Sequence, residues 1–446
     1  FSPVAAWPTI RFILIMALIN QWETRQIDFV LAYTQAEVEC ELYMSIPKGF
    51  ELKDKSKDYV LKLKRNLFGQ KQAGRVWNKH LVKALEQVGF VTSKVDECLF
   101  YKGKVIFVLY TDDSILTGPS PKELDKVIQD MKDAGLNLTV EGYINDFLGV
   151  QIQRETNNFH FSQPHLVLDI LKELRLDGEK AAVKQTPTAS SRQLLRHLNS
   201  EPFDNHFDYR KVIGKLNYLE KCSRPDISCA VHQAARFVSD PRVEHGKAIK
   251  WLGRYLKYTQ DKGIIYNPKL KEGFKVYVDA SFAGDWDPNT AEWNSDTARS
   301  RTGYIIMYAN CPVLWASKLQ SDIALSSTES EYLAISTAIR EVIPLMELLK
   351  ELQKNIDGLR NITPHVHCRV FEDNSGAVKI SKSVKSPKMR PRTKHINVRY
   401  HHFRERVLRG EIIIEHISTK DMLADILTKG VNQTVLERLR PQLMGW

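Results

Sequence analysis

The spacing of apolar residues divides roughly the first 160 residues into amphipathic helices and short, nearly continuous apolar strands. Helical spacing predicts helices in PTIRFILIMALINQW, AGRVWNKHLVKALEQVGF and PKELDKVIQDMKDAG. The last of these begins at Pro121 and ends at Gly135, because proline suits a first helical turn and glycine a helix end. The segment ETRQIDFVLAYTQ predicts a strand that runs into a turn and a helix. CLFYKGKVIFVLYTDDSILTG predicts two hairpins, which turn at Lys102-Gly103 and at a pair of aspartates.

Helical spacing continues to about residue 260, and from Lys271 strands alternate with helices. FKVYVDASFAG, RTGYIIMYAN and CPVLWASKLQ predict three strands, followed by a long helix with a capping box from Ser326 to Glu329. HVHCRVFEDN and GEIIIEHIS predict two further strands, each followed by a helix, and this order is typical of a separate α/β domain. The predicted fold class is therefore multidomain α+β and α/β, with domains at 1–160, 161–268 (mainly helical) and 269–446.

Composition narrows the class of protein. The chain has 446 residues, a net charge of +11 and 43% hydrophobic residues, which is enough for two or three cores. The positive charge favours an acidic partner, nucleic acid first, although a solvated basic face has the same composition. Six scattered cysteines without a CxxC pair indicate a reducing, intracellular compartment rather than secretion. The apolar run FILIMALI is too short to span a membrane.

Several carboxylates stand inside or at the ends of apolar segments, where an uncompensated charge is costly. They are Asp28, Asp112, Asp113, Asp279, Glu331, Asp373 and Asp425. Mg²⁺ prefers carboxylate oxygens and leaves room for substrate phosphates, and two ions about 4 Å apart serve phosphodiester chemistry. The sequence therefore offers a candidate two-metal site in each half. The residues alone also allow plainer interpretations, namely a hairpin turn for the Asp-Asp pair, a helix cap for Asp28 and a solvated helix face for Glu331.

The first half of the chain resembles the reverse transcriptase of copia-type retrotransposons. The matching stretches follow the family's order and read FSPVAAWPTIR, QIDFVLAYTQAEVECELYMSIPKGF, LKLKRNLFGQKQAGRVWNKHL, DECLFYKGKVIFVLYTDDSIL and INDFLGVQI. The middle stretch YRKVIGKLNYLEKCSRPDISCAVHQAARFVSDP is similar to the connecting segment of those polyproteins. Two departures are Thr111, where the family often has valine, and Gly74, where it usually has proline.

The second half resembles the ribonuclease H of the same family. The stretches are YVDASFAGDW, SRTGYIIMY, VLWASKLQSDIALSSTESEYLA, EDNSGAV, RTKHINVRYHHFRE and STKDMLADILTK. Together the two resemblances cover nearly the whole chain. They imply a Pol polyprotein fragment, and we expect it to lack the family's N-terminal fingers segment. They imply a reverse transcriptase palm, a helical thumb or connection, and a ribonuclease H-like α/β domain.

The resemblance implies a role for each polymerase residue. Asp28 and Asp112 would hold the metal ions, with Asp113 in support. The nucleotide- and template-binding residues would be Tyr33, Gly69, Lys71 and Gln72, with the Tyr33 ring excluding a 2′-OH. The primer grip would be Phe147, Leu148 and Gly149. From the residues alone, a core tyrosine, a solvated lysine and a simple β-turn remain open.

The resemblance also implies a four-carboxylate nuclease site, which would be Asp279, Glu331, Asp373 and Asp425. Each of the two sites would take two Mg²⁺ ions, with Mn²⁺ as the alternative metal. Glu331 is the expected ligand because EYLA resembles the family's stretch that carries its glutamate, whereas Glu329 is better explained by the capping box. His416 lies where related nucleases carry a mobile histidine, but its strand-like context favours a structural role.

A basic run from Lys379 to Arg409 contains one acid, Glu405. Beside a nuclease site we interpret it as a track for the phosphates of a hybrid, although a solvated face is the usual meaning of such a run. The expected hybrid-binding residues are Lys388, Arg390, Arg392, Lys394 and Arg399. The stretch HVHC is interpreted as strand filling and not as a zinc site, because successive strand residues point to opposite faces.

These features predict an RNA-directed DNA polymerase with ribonuclease H activity. The expected partners are an RNA template, a DNA primer, an RNA–DNA hybrid and deoxynucleoside triphosphates, with other Pol and Gag products of the element and no membrane. The expected location is a cytoplasmic particle or the nucleus. Two alternatives remain open: a nucleic-acid-binding remnant with dead sites, and a chain with nuclease activity alone.

Overall fold

The fold is that of a computed structural model, in which two compact units are resolved. The structure describes residues 2–50, 59–179, 181–196, 200–269, 271–284, 286–288, 290, 295–359, 366–382 and 402–446. Unit 1 comprises residues 1–10, 20–144 and 355–357, and unit 2 comprises residues 11–19, 145–354 and 358–446. Among the described helices, none combines the length and the hydrophobicity needed to cross a bilayer.

Unit 1 is built on a six-stranded antiparallel sheet with the strand order β4-β5-β6-β7-β1-β8. Its strands are β1 (Glu23–Phe29), β4 (Val91–Thr92), β5 (Leu99–Lys102), β6 (Val105–Tyr110), β7 (Asp113–Gly118) and β8 (Leu138–Gly142). Unit 1 also contains the helices α2 (Ala32–Gln35), α3 (Ala73–Val88) and α4 (Pro121–Asp133). A hairpin is formed by β2 (Glu37–Ser45) and β3 (Val60–Arg65). The apolar runs of β6 and β7 are buried almost throughout, as a central pair of strands requires.

Helix α1 (Trp7–Ile19) is apolar on all sides, and its residues 11–19 belong to unit 2. Arg11 is 2% exposed and donates to the carbonyl oxygens of Val313 at 3.0 Å and Cys222 at 3.1 Å. The Phe12 ring packs against that of Tyr308, with 5.0 Å between the ring centroids. The helix is hydrophobic all round because unit 2 buries it on several sides.

The middle of unit 2 combines a small sheet with four helices. The sheet has the order β12-β11-β10-β9, and its strands are β9 (Asp146–Phe147), β10 (Val150–Arg154), β11 (Phe159–Ser162) and β12 (Ile264–Tyr266). The helices are α5 (Pro164–Glu173), α6 (Tyr209–Cys222), α7 (Ser228–Ala235) and α8 (Val243–Tyr258). The helical character predicted for this stretch is confirmed.

The rest of unit 2 is a five-stranded mixed sheet with the order β15-β14-β13-β16-β17. Strands β13 (Phe274–Ser281), β14 (Arg301–Tyr308) and β15 (Cys311–Leu319) are antiparallel, whereas β16 (Cys368–Glu372) and β17 (Ile412–His416) run parallel to β13. The helices are α9 (Ser327–Asn355), α10 (Ser375–Lys382), α11 (402–408), α12 (Asp425–Thr428) and α13 (Gln433–Met444). The predicted multidomain α+β and α/β class is confirmed.

The start of α9 is fixed by the predicted cap. The Ser326 hydroxyl accepts from the backbone N–H of Glu329 at 3.2 Å. The Glu329 carboxylate reaches back to the N–H of Leu325 at 2.8 Å. The Glu329 carboxylate is therefore committed to the predicted cap.

A buried ion pair joins the elements of the helical segment. The Arg224 guanidinium donates to both carboxylate oxygens of Asp226, at 2.9 and 2.8 Å, and both side chains are fully buried. The Tyr255 hydroxyl donates to the same carboxylate at 2.6 Å. Burial by itself raises the pKa of Asp226, but the charge and hydrogen bonds of Arg224 outweigh it and lower that pKa below its usual value.

We expect Asp226→Asn to lower the free energy of unfolding by about 3–5 kcal/mol, because it leaves the Arg224 charge buried without a counter-charge. Urea denaturation followed by circular dichroism measures this loss. The matched control is Glu405→Gln, which breaks an exposed pair with Arg409 and should cost no more than about 1 kcal/mol. Equal losses in the two variants would contradict a special role for the buried pair.

Candidate active sites

The carboxylates of the first predicted site lie at one end of the unit 1 sheet. Asp28 in β1 and Asp113 in β7 are register partners on neighbouring antiparallel strands. Asp112 precedes Asp113 in the turn between β6 and β7. Burial and the nearby charge of Asp112 raise the pKa of Asp28. The structure therefore brings these three residues together, as an arrangement that binds cations requires.

The turn that carries Asp112 is strained. Tyr110 pairs with Asp113, so the predicted hairpin is present but its two-residue turn is Thr111 and Asp112, one residue before the predicted turn at the two aspartates. Thr111 has a φ of 60°, a left-handed conformation that costs a β-branched residue about 1–3 kcal/mol. The Phe29 N–H donates to the Asp112 carbonyl at 3.3 Å. Backbone strain of this kind is concentrated at functional sites.

The predicted nucleotide-binding residues lie on α2 and on the segment before α3. Tyr33 is half-buried, and its ring centroid is 4.7 Å from that of Phe68, which is 57% exposed. Gly69 follows with a φ of 91°, a conformation that favours glycine. Lys71 is exposed and Gln72 is half-buried. An aromatic pair beside a glycine turn offers a stacking surface, and Phe68 is a member that the sequence pattern did not single out.

The predicted primer grip is a tight turn in unit 2. Phe147 is fully buried and pairs with Val150, so Leu148 and Gly149 connect β9 to β10. Both turn residues have positive φ, 54° and 69°, which is the pattern of a type I′ hairpin. The Tyr218 hydroxyl donates to the Leu148 carbonyl. The turn is therefore held both by its hairpin and by helix α6.

Three carboxylates of the second predicted site converge in unit 2. Asp279 comes from β13, Glu331 from the first turns of α9, and Asp373 from the residue after β16. One carboxylate oxygen of each lies within 4.8 Å of the others. Asp279 is 5% exposed and Glu331 is 6% exposed. Acids from three separate elements that meet in a buried place indicate a cation site, because their mutual repulsion must be compensated.

Asp425, the fourth predicted carboxylate, lies beside Asp279. Burial is the main cause that raises the pKa of both, and each acid also interacts with the other. Lys429 lies one helical turn after Asp425, with its Nζ 2.8 Å from a carboxylate oxygen of that residue. The Thr428 hydroxyl donates to Asp279. Lys429 and Thr428 are polar members of the site that the sequence pattern did not reveal.

The sequence pattern does not single out a fifth acid of the second site, Glu372. Glu372 is fully buried at the end of β16 and accepts from the N–H of Asn374 at 3.0 Å. Burial, followed by the charge of Glu372, raises the pKa of Glu331. Within the described part of the chain, Oε2 of Glu331 and Oε2 of Glu372 have no hydrogen-bond partner. Alternation along β16 places Glu372 on the buried face with Cys368 and Val370, which is the signal that could have revealed it.

We expect the protein in EDTA to lose stability as the pH rises from 6 to 8. Burial raises the pKa of Asp279 to about 7, whereas an unfolded aspartate titrates near about 3.9. Between these values the folded chain holds a proton that the unfolded chain has lost, so the Asp279 contribution falls until about pH 7. Burial raises the pKa of Glu372 to about 8, which extends the fall in stability to about pH 8. Thermal melts from pH 5 to 9 measure the effect.

The control for this pH dependence is Asp279→Asn, which should make the fall in stability shallower because its amide does not ionise, whereas Glu331, Glu372 and Asp425 still titrate with raised pKa. Added Mg²⁺ should restore stability to the unmodified chain above pH 7, since a ligand that binds the folded state stabilises it. A stability curve in EDTA that rises from pH 6 to 8 in the unmodified chain would contradict the account.

The expected hybrid-binding residues, Lys388, Arg390, Arg392, Lys394 and Arg399, lie outside the described residues, as does His365. In the described end of the basic run, Arg406 pairs with Glu347 at 2.7 Å and with Glu411 at 3.1 Å. His416 is exposed at the end of β17 and is the register partner of Glu372. The described basic residues of this end therefore include some that serve structural ion pairs.

Comparison with known proteins relates the chain to transposon enzymes. Residues 1–190 match the family described as reverse transcriptase (RNA-dependent DNA polymerase). The chain is 34% identical over 99% of its length to the retrovirus-related Pol polyprotein from transposon RE1 of Arabidopsis thaliana, and covers 29% of it. It is 32% identical over 100% of its length to that from transposon TNT 1-94 of Nicotiana tabacum, and covers 32% of it. The chain thus spans less than a third of the length of these relatives.

Solved structures show a weaker likeness. The N-terminal RNase H domain of a Mycobacterium tuberculosis protein covers 38% of this chain with 97% of its own length, at 10% identity and a TM-score of 0.25.

Divalent metal ions fit the second site. Reverse transcriptases and ribonucleases H depend in general on such ions, and carboxylate oxygens are the ligands that Mg²⁺ prefers. The residues that could hold an ion are Asp279, Glu331 and Asp373, because one carboxylate oxygen of each lies within 4.8 Å of the others. The buried carboxylate oxygens without a partner among the described residues need a cation or a proton.

Proposed function

We propose that the chain copies RNA into DNA and degrades the RNA of the resulting hybrid, because residues 1–190 match the reverse transcriptase family and the chain is similar along its length to transposon Pol polyproteins. The observation that carries the proposal is the convergence of Asp279, Glu331 and Asp373 from separate elements, together with the register pairing of Asp28 and Asp113. We assign polymerase chemistry to the site in unit 1 and nuclease chemistry to the site in unit 2.

In the polymerase site, Asp28 and Asp112 would hold two Mg²⁺ ions, with Asp113 in support. The Tyr33 ring would close the space beneath the sugar of the incoming nucleotide, with Gly69, Lys71 and Gln72 contacting nucleotide and template. The primer 3′-OH attacks the α-phosphorus of the nucleotide and pyrophosphate leaves. The protein's contribution is to position the two reactants and to neutralise charge.

In the nuclease site, Asp279, Glu331, Asp373 and Asp425 would hold two Mg²⁺ ions beside the RNA strand of a hybrid. When bound, such ions activate an attacking oxygen and neutralise the charge that develops on phosphate. These acids would position the ions against the scissile phosphate. Glu372 lies buried beside Glu331, and Lys429 compensates the charge of Asp425.

The remaining parts of the proposal concern substrate binding and organisation. The turn of Phe147, Leu148 and Gly149 would hold the primer end, and the run from Lys388 to Arg399 would follow the phosphates of the hybrid. We propose a functional division into a palm at 1–160, a helical thumb or connection at 161–268 and a nuclease domain at 269–446. The site of action would be a cytoplasmic particle or the nucleus.

The test is to incubate the purified chain with Mg²⁺ and two substrates. One is a DNA primer on an RNA template with deoxynucleoside triphosphates, and the other is an RNA–DNA hybrid labelled in its RNA strand. The proposal predicts primer extension and RNA cleavage, both abolished by EDTA. Cleavage without extension would support a nuclease alone, and binding without either reaction would support a remnant with dead sites.

A further inference from the structure

One buried indole contacts both halves of the candidate polymerase site. Trp77 is on α3 and is 1% exposed. Its Nε1–H donates to the carbonyl of Thr111 at 2.9 Å. Its ring meets that of Phe29 edge to face, with 5.2 Å between centroids. Phe29 directly follows Asp28, and Thr111 directly precedes Asp112, so the indole holds the neighbours of both proposed ligands.

The hydrogen bond acts where the backbone needs support. Thr111 adopts a left-handed conformation with a φ of 60°, which its β-branched side chain disfavours. A turn in this state relaxes unless surrounding contacts hold it. The Trp77 N–H binds the carbonyl of the strained residue itself, and the Phe29 N–H binds the carbonyl of the next residue at 3.3 Å. The conformation that carries Asp112 is thus fixed from two sides.

We propose that Trp77 is a positioning residue of the polymerase site, which sets the Asp112 carboxylate relative to Asp28 by holding Thr111 in its left-handed conformation. The inference rests on the proposed polymerase function. In this role Trp77 does not contact substrate or metal. Its consequence is that loss of one N–H group lowers the rate of nucleotide addition although every carboxylate remains.

The first test is Trp77→Phe, which removes the N–H and keeps an aromatic ring for packing. Single-turnover primer extension should show a rate constant lower by on the order of tenfold, with the nucleotide KM changed much less. Cleavage of the hybrid by the same preparation should be unchanged, which reports an intact unit 2, and an unchanged circular dichroism spectrum and melting temperature should report an intact unit 1. Trp22→Phe is the matched control, a buried tryptophan of unit 1, and should leave extension unchanged.

The second test asks whether Trp77 acts through Thr111. Glycine adopts positive φ readily, so in a Thr111→Gly background the turn should need the indole less. The proposal predicts that Trp77→Phe costs several-fold less in that background, a non-additivity that a general packing defect would not produce. Equal losses in both backgrounds, or no loss from Trp77→Phe in the unmodified chain, would overturn the proposal.

A third measurement keeps the inference separate from the proposed function. If the unmodified chain extends no primer, the proposed function fails, and Mn²⁺ binding decides the role of Trp77. Electron paramagnetic resonance titrations would be made with Asp279→Asn and Glu331→Gln present, so that the nuclease site is weakened. Trp77→Phe should reduce Mn²⁺ affinity several-fold, and Thr111→Gly should restore part of it. Unchanged affinity in Trp77→Phe would overturn the positioning role.

Discussion

Replacing Asp279 with asparagine should lower cleavage of an RNA–DNA hybrid by at least about 10²- to 10³-fold, the scale expected when one pre-organised charge-stabilising group is lost. Asp279 lies at the centre of the second site, beside Asp425, and its oxygens converge with those of Glu331 and Asp373. An amide of the same size keeps the packing but removes the charge that would hold a cation. Initial rates with a hybrid labelled in its RNA strand measure the loss.

The matched control for this change is Asp261→Asn, which alters an exposed aspartate of the same unit. It should leave the cleavage rate within about twofold. Primer extension by the Asp279→Asn variant should also persist, because the polymerase carboxylates lie in unit 1. Cleavage that continues at the original rate in Asp279→Asn would show that the nuclease site is wrongly assigned.

Replacing Asp112 with asparagine should lower the rate of primer extension by at least about 10²-fold, a factor similar to that expected for Asp279→Asn. Asp112 sits in the strained turn and its charge contributes to the raised pKa of Asp28, so the two carboxylates share one electrostatic environment. Removing one charge weakens the site for any cation that both would hold. Single-nucleotide incorporation on an RNA template measures the change.

For this second substitution the control is Asp125→Asn, on the exposed side of α4 in unit 1, and extension should be unaffected. Hybrid cleavage by Asp112→Asn should equal that of the unmodified chain. If extension survives Asp112→Asn at full rate, the turn between β6 and β7 is an ordinary hairpin and the polymerase assignment fails.

Much of the fold could be predicted because its signals are local. Helical spacing predicts the long helix α9, and the predicted cap by Glu329 is confirmed by the hydrogen bonds of Ser326 and Leu325. The pairing of Tyr110 with Asp113 confirms the predicted hairpin, with its turn at Thr111 and Asp112, one residue before the predicted position. Turn residues, alternation and capping act over a few positions, so a single sequence contains them.

Contacts between distant parts of the chain could not be predicted. Arg11 donates to Val313, 302 positions away, and no local pattern indicates that an apolar N-terminal helix is buried in unit 2. Trp77 reads as one apolar position of an amphipathic helix, and its hydrogen bond to the Thr111 carbonyl spans 34 positions. Such partners are set by tertiary packing, which periodicity does not encode.

Glu372 stands between these two cases. The sequence predicts Asp373 as the ligand in the EDN stretch and does not single out Glu372. Alternation along β16 nevertheless places Glu372 on the buried face. A buried acid beside an expected metal ligand is a local signal, but its partner Glu331 comes from another element. The positive φ of Thr111 is also beyond pattern analysis, because nothing in the residue type favours it.

The central claim is that two separate clusters of carboxylates bind divalent cations, and anomalous X-ray scattering from crystals grown with Mn²⁺ tests it most directly. The account predicts anomalous peaks at Asp28 and Asp112 and at Asp279, Glu331 and Asp373, with the second set lost in crystals of Asp279→Asn. Mn²⁺ bound elsewhere on the chain, with neither cluster occupied at millimolar concentration, would contradict it.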